Sequence, residues 1–255
     1  MKINLAYGKT GLEIELPDEL DVTVVEPQYV PSLPDPEAAL REALKSPIES
    51  PPLRELVQPG SKVGIVFNDI TRPTPDHLML PAVLNELPHV PTENITLFNA
   101  LGTHRPNTDA ELRSMLGDAL VDNYRIVQND SFDPTTQVHL GTTTRGHDVW
   151  LNRDFFECDT KILTGFIEPH FFAGFSGGGK VIMPGMAGQR TVLGNHDFGM
   201  IADPKANWGM TRGNPVWEEI REVALKANPT FILNVALNRD KEITAVFAGD
   251  LDAAH

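Results

Sequence analysis

The feature that most constrains this chain is a recurring unit: a short apolar run, an abrupt polar loop, then a helically patterned stretch. Residues 62–67 (KVGIVF), 95–101 (ITLFNAL) and 161–167 (KILTGFI) are too short for buried helices. Their apolar and β-branched content suits parallel strands covered on both faces. Residues 124–127, 230–237 and 243–247 read as further strands, and residues 76–86 and 215–226 as helices. Thr108, followed three residues on by Glu111, forms a capping-box signature ahead of DAELRSMLG. Strands alternating with helices over this length predict an α/β fold built on a doubly wound, mostly parallel sheet.

The first sixty residues differ. Residues 3–7 and 12–16 alternate polar with apolar around Gly8-Lys9-Thr10-Gly11, the pattern of a small N-terminal β-hairpin. Residues 27–52 are proline-rich with one helical stretch, 35–44, and read as an ordered surface connection. The expected organisation is therefore a single domain over residues 1–255. Its hairpin and connection occupy 1–60 and its strand–helix core 61–255.

Charge and composition narrow the partners. With 21 Lys and Arg against 35 Asp and Glu, the formal net charge is −14, which argues against nucleic acid and anionic membranes. A small anionic substrate stays open, because salt screens remote charge beyond about 8–10 Å. Nothing approaches the roughly 18 consecutive apolar residues of a membrane helix. The alternating N-terminus lacks the apolar core of a signal peptide, so a cytoplasmic location is expected. Cys158 is the only cysteine, which excludes an internal disulfide and a thiolate metal cluster, and it reads as a buried structural thiol.

In doubly wound sheets ligands sit beyond the carboxyl ends of the strands. Three polar loops fall there: Asp69 with Arg72, His104 with Arg105, and Glu168 with His170. His104 and His170 suit acid/base work near neutral pH. Arg72 suits a carboxylate, through its planar fork. Asp69 could orient that arginine, bind a cofactor hydroxyl, or simply stabilise a turn. His196 is of a metal-ligating type, yet no second ligand lies at short spacing, so most ligands would come from elsewhere. His77, His89, His139 and His147 read as surface or structural residues.

Residues 174–180 fit G-x-x-x-x-G-K, but Val181 stands where a P-loop needs Ser or Thr, and Pro184 interrupts the helix that should follow. What remains is Ser176, Gly177, Gly178 and Gly179 beside Lys180. This segment either brings backbone close to a ligand or forms a flexible turn.

The segments YGK (7–9), NDITRPTPD (68–76), LGTHRP (101–106), IEPHFFAGFSGGGK (167–180), PGMAGQRTVLGNH (184–196) and GNP (213–215), in this order and spacing, resemble the lactate racemase family. Its members use a nickel-pincer nucleotide. The resemblance implies that Lys180 is the covalent tether of that cofactor and His196 the protein ligand to nickel. It implies that His104 and His170 are the paired acid/base residues, with Asp69 and Arg72 beside cofactor and substrate. The activity implied is racemisation or epimerisation of a 2-hydroxyacid by proton-coupled hydride transfer, after loading by cofactor-assembly proteins. Family members are longer and carry a second α/β domain, so the chain is expected to be the N-terminal cofactor-bearing domain without the C-terminal one. Two other readings are weighed: a non-catalytic cofactor-binding module, and a metal-dependent hydrolase with the histidines as ligands.

Overall fold

The computed structural model describes every residue except 6, 9 and 27. Two compact units make up the chain, Met1–Val30 and Pro31–His255. In the first, β1 (Lys2–Leu5) and β2 (Leu12–Glu15) pair antiparallel, with Ile3 opposite Ile14. This is the expected hairpin. Lys9 in its expected turn and in YGK, Ala6 at the end of its first strand, and Pro27 at the start of the proline-rich stretch lie outside the described residues.

In the second unit, α1 (Pro36–Lys45) and α2 (Leu53–Leu56) precede β3 (Val63–Asn68), α3 (Asp76–Asn85) and β4 (Ile95–Ala100). Then come α4 (Asp109–Leu116), α5 (Asp118–Asn123), β5 (Arg125–Gln128), β6 (Gln137–Thr142), β7 (Asp148–Asn152) and α6 (Arg153–Phe156). The chain continues through β8 (Thr160–Phe166), β9 (Pro169–His170), β10 (Gly174–Phe175), α7 (Gln189–Asn195) and α8 (Phe198–Ile201). It closes with α9 (Pro215–Ala227), β11 (Phe231–Leu237), β12 (Ile243–Gly249) and α10 (Leu251–Ala254). The main sheet has six strands in the order β12-β11-β8-β3-β4-β5, parallel except for β12 against β11.

Strand alternation sends successive side chains to opposite faces, and each face has its own apolar layer. Ile65, Phe67, Leu97, Ile162 and Leu233 join Leu40, Leu44, Met79, Leu80 and Val83 on the side of α1 and α3. Val66, Phe98, Leu163 and Ile232 join Val216, Ile220 and Val223 of α9, together with Val149 and Leu151 of β7. Both layers being filled, the sheet is doubly wound as expected. The capping box is also present: Thr108 accepts from the Glu111 N–H at 3.2 Å, and Glu111 accepts from the Thr108 N–H at 2.8 Å. Cys158 is buried, and burial raises its thiol to about 11, as suits a structural role.

Two local expectations need correction. The stretch read as a surface connection carries its expected helix, α1, but that helix supplies fully buried Leu40 and Leu44 to the core. The β6–β7 hairpin, a separate two-stranded sheet, was not foreseen, although Gln137, Val138, His139 and Leu140 alternate polar with apolar.

Asp76 opens α3 at 1% exposure, and its Oδ1 has no hydrogen-bond partner. Burial pushes this carboxyl well above the usual range. With the folded pKa above the unfolded one, stability is greatest below the unfolded value and declines as pH rises toward the folded value. Asp76→Asn is therefore expected to flatten that decline and raise the thermal midpoint at pH 7 by about 2 °C or more. An unchanged slope of midpoint against pH would refute this account.

Candidate active site

The chain lays β3, β4 and β5 in sequence to one side, then returns to place β8 on the other side of β3. That reversal opens a crevice beyond the strand carboxyl ends. A cavity of about 280 Å³ lies there. Asp69, Arg72, His104, His170, Ser176, Gly177, Lys180 and His196 all line it, whereas Gly178 and Gly179 do not.

Asp69 follows β3 and is buried at 4% exposure. Its Oδ2 lies 2.6 Å from His104 Nδ1, and its Oδ1 accepts the Thr71 hydroxyl at 2.8 Å. Of the roles left open for Asp69, the geometry shows none toward Arg72 through the side chain; the carboxylate braces His104. The loop carrying His104 is itself fixed, because the Gly102 N–H donates to the Gly185 carbonyl at 2.9 Å and the His104 N–H to the Leu101 carbonyl at 2.9 Å. The His104 side chain is 51% exposed and so remains reachable.

His170 ends β9. Its Nδ1 accepts the backbone N–H groups of Ala173 at 3.2 Å and Phe172 at 3.5 Å. Burial, then the positive charges of Lys180, Arg72 and His196, pushes this imidazole down to about 4. Phe172 stands edge-on to both His170 and His196, with centroids 4.7 and 5.2 Å away. Arg72 Nη1 comes no closer than 3.9 Å to Glu168 Oε1, and both side chains are substantially exposed. So loose a pair contributes little and leaves the guanidinium able to take a ligand carboxylate.

Lys180 lies in the 3-10 turn Gly178–Val181; no P-loop helix follows. Burial, reinforced by the Arg72 cation, lowers its ammonium to about 7. Ser176 spends its hydroxyl on the backbone, donating to the Phe166 carbonyl at 2.8 Å and accepting the Glu168 N–H at 2.9 Å. Gly177 takes φ +79°, and a Cβ there would fall 2.5 Å from Asn234 Oδ1. An added Cβ would meet the His255 ring at Gly178 and Ala224 at Gly179, and neither residue lines this cavity.

His196 follows α7, and its Nδ1 is buried without a hydrogen-bond partner. The residue before it is anchored from behind: Asn195 Nδ2 donates to Glu219 Oε2 at 2.9 Å. Glu219, 2% exposed, also takes the Thr143 hydroxyl at 2.6 Å and pairs with His147 Nδ1 at 2.9 Å. His147 is thus structural, as expected, but Glu219 carried no sequence signal. Asn99 and Asn234 did carry one, as polar residues inside apolar strand runs. Both tie down the rim, Asn99 donating to the Asn68 carbonyl and Asn234 accepting the Gly178 N–H. Among the described residues, no three His, Cys, Asp or Glu side chains gather into a metal site, so a three-histidine hydrolase centre has no cluster to rest on.

Fold and rim together define an α/β protein with a small-ligand site at the carboxyl edge of its sheet. Residues 7–209 match the lactate racemase N-terminal domain, and the chain belongs to that family. It is 37% identical over 257 aligned residues to the lactate racemase of Lactiplantibacillus plantarum and 35% identical to that of Thermoanaerobacterium thermosaccharolyticum. Each alignment covers 99% of this chain and 60% of the relative, so the chain spans only part of their length. The lactate racemase apoprotein structure from T. thermosaccharolyticum superposes with a TM-score of 0.88 at 36% identity, over 100% of this chain and 60% of that one. A Thermotoga maritima protein shares the fold, with a TM-score of 0.66 at 24% identity, over 84% of this chain and 55% of that one. Among the described residues, no helix is long and apolar enough to cross a membrane.

Proposed function

We propose that this chain is the cofactor-bearing N-terminal part of a cytoplasmic racemase or epimerase of small 2-hydroxyacids. The observation that carries the reading is a convergence. One cavity gathers a lysine whose ammonium is lowered to about 7, a histidine whose buried Nδ1 lacks a partner, two further imidazoles and a loosely paired arginine. The full-length relatives are lactate racemases, and the solved one is an apoprotein.

A nickel-pincer nucleotide fits these residues. Lys180 would hold it covalently, since an amine near its pKa at neutral pH has a substantial nucleophilic fraction. His196 would ligate nickel, consistent with its orphaned ring nitrogen and the missing protein cluster. When bound, the group supplies a hydride acceptor and donor for the substrate α-carbon. Arg72 holds the substrate carboxylate through paired N–H donors. His104, braced by Asp69, handles the hydroxyl proton, and His170 provides the second imidazole. Cofactor-assembly proteins would be the partners that load Lys180.

The test is racemisation of lactate and other 2-hydroxyacids by the full-length protein, made alongside the cofactor-assembly enzymes. In that system Arg72→Lys is expected to raise KM about 10-fold with a smaller change in kcat, because a point charge replaces a planar fork. A loaded protein that racemises no 2-hydroxyacid would overturn the proposal.

A further inference from the structure

We infer that the chain carries a second small-molecule site, apart from the active-site cavity, that takes a compact carboxylate bearing an amide group. Such binding is independent of the function proposed above. The site is a pocket of about 350 Å³ formed by the loop after β5, the β6–β7 hairpin and the start of α7. It shares no lining residue with the active-site cavity. Backbone bonds pin its walls: the Gln189 N–H donates to the Ser131 carbonyl and the Gly188 N–H to the Trp150 carbonyl, each at 2.8 Å. The pocket is therefore preformed.

Three residues of its lining hold buried polar atoms with no hydrogen-bond partner among the described residues: Ser131 Oγ, Gln137 Oε1 and Trp150 Nε1. Ser131 is 5% exposed and Gln137 2%. Folded proteins seldom leave such atoms unpaired, so three around one pocket point to a ligand. The orientation of the Gln137 amide is settled. Its Nε2 donates to the Asp130 carbonyl at 2.8 Å, an oxygen that only accepts, which leaves Oε1 as the unpaired atom.

These atoms define the ligand. An indole N–H only donates and an amide oxygen only accepts, while a hydroxyl does either. The ligand must therefore offer an acceptor to Trp150 and a donor to Gln137. A simple carboxylate or phosphate dianion has no donor, and a hydrocarbon has neither; an amide has both in one planar group. Phe132 and Pro134 supply apolar wall for a hydrocarbon body. Arg190 is the one charged residue of the lining, exposed and without an ion pair among the described residues. The nearby Asp130 and Asp133 carboxylates are engaged by their own loop, accepting the Phe132 and Thr135 N–H groups at 2.9 Å. Arg190 is thus free to pair with a ligand carboxylate. N-acyl amino acids and anionic cyclic amides both carry this chemistry.

The test titrates N-acetyl-L-phenylalanine and orotate, one acyclic amide and one cyclic, into full-length protein labelled with ¹⁵N at tryptophan. Trp150→Phe assigns the indole N–H signal. At least one probe should move that signal saturably, with a Kd on the order of 1 mM or below. The tighter of the two names the source of the ligand. N-acetyl-L-phenylalaninamide and uracil lack the carboxylate, whereas 3-phenylpropionate and benzoate lack the amide. Each should bind about 10-fold more weakly than its parent probe. Arg190→Gln, a surface change, should weaken the carboxylate probes by about 10-fold and leave N-acetyl-L-phenylalaninamide and uracil unaffected. No saturable movement with either probe up to about 10 mM would overturn the site, leaving a pocket filled by solvent alone. Amide-free carboxylates that bind as tightly as the probes, or an Arg190→Gln protein that binds them undiminished, would overturn the ligand class.

Discussion

His104→Ala is expected to lower racemisation by the full-length, cofactor-loaded protein by about 10³-fold or more, without changing the mass of the loaded chain. Positioned bases contribute about 10²–10⁴-fold, and His104 is the cavity imidazole that the Asp69 carboxylate braces. Asp69→Asn should approach the same loss while leaving the imidazole in place. Thr71 donates its hydroxyl to Oδ1, so an asparagine would keep its carbonyl there and turn its amide N–H groups toward His104. That would force the hydrogen onto Nε2 and remove the lone pair from the cavity. Steady-state kinetics and intact mass check both variants. Near-normal turnover in either would refute the braced-base account.

Lys180→Ala is expected to eliminate the covalent adduct altogether, read as a return to the unmodified chain mass after expression with the assembly enzymes. The apoprotein provides an independent check. At pH 7 an amine lowered to about 7 is about half deprotonated, whereas an ordinary lysine near 10.4 is almost wholly protonated. Limiting acetic anhydride should therefore label Lys180 ahead of an exposed lysine such as Lys226, and its labelling should level off above about pH 7. Arg72→Gln removes one of the charges that hold the amine down, and should slow the labelling at pH 7. Peptide mapping that finds Lys226 labelled first would sink the assignment of Lys180 as a prepared nucleophile.

The strands, the capping box and the rim loops were legible because each is written in residues close together in the chain. Apolar runs of six or seven residues specify buried strands, and the polar residues immediately after them mark where the sheet ends. Pairings across the fold were not legible. Asp69 and His104 are 35 positions apart, and only the parallel register of β3 with β4 brings the following loops together. Gly178 and Gly179 sat in a motif that suggested ligand contact, but the groups packed against them, His255 and Ala224, lie far along the chain. Lys180 and His196 could be singled out by residue type, but their depressed pKa values depend on burial and on neighbouring cations, Arg72 for Lys180 and Lys180 for His196, quantities a linear pattern does not contain.

The anchoring of Asn195 by Glu219 bears on how such a protein could be redesigned. Residues on α9 differ sharply in what they transmit: Glu218 and Lys226 face solvent, while Glu219 reaches through the packed layer to the residue that precedes His196. A library spread over the outer face of that helix would sample solubility and surface charge and leave the cavity alone. One that included Glu219 would act on the position of His196 at a distance, with no altered side chain in the cavity. The helix thus offers a designer two separable controls, one position apart in sequence.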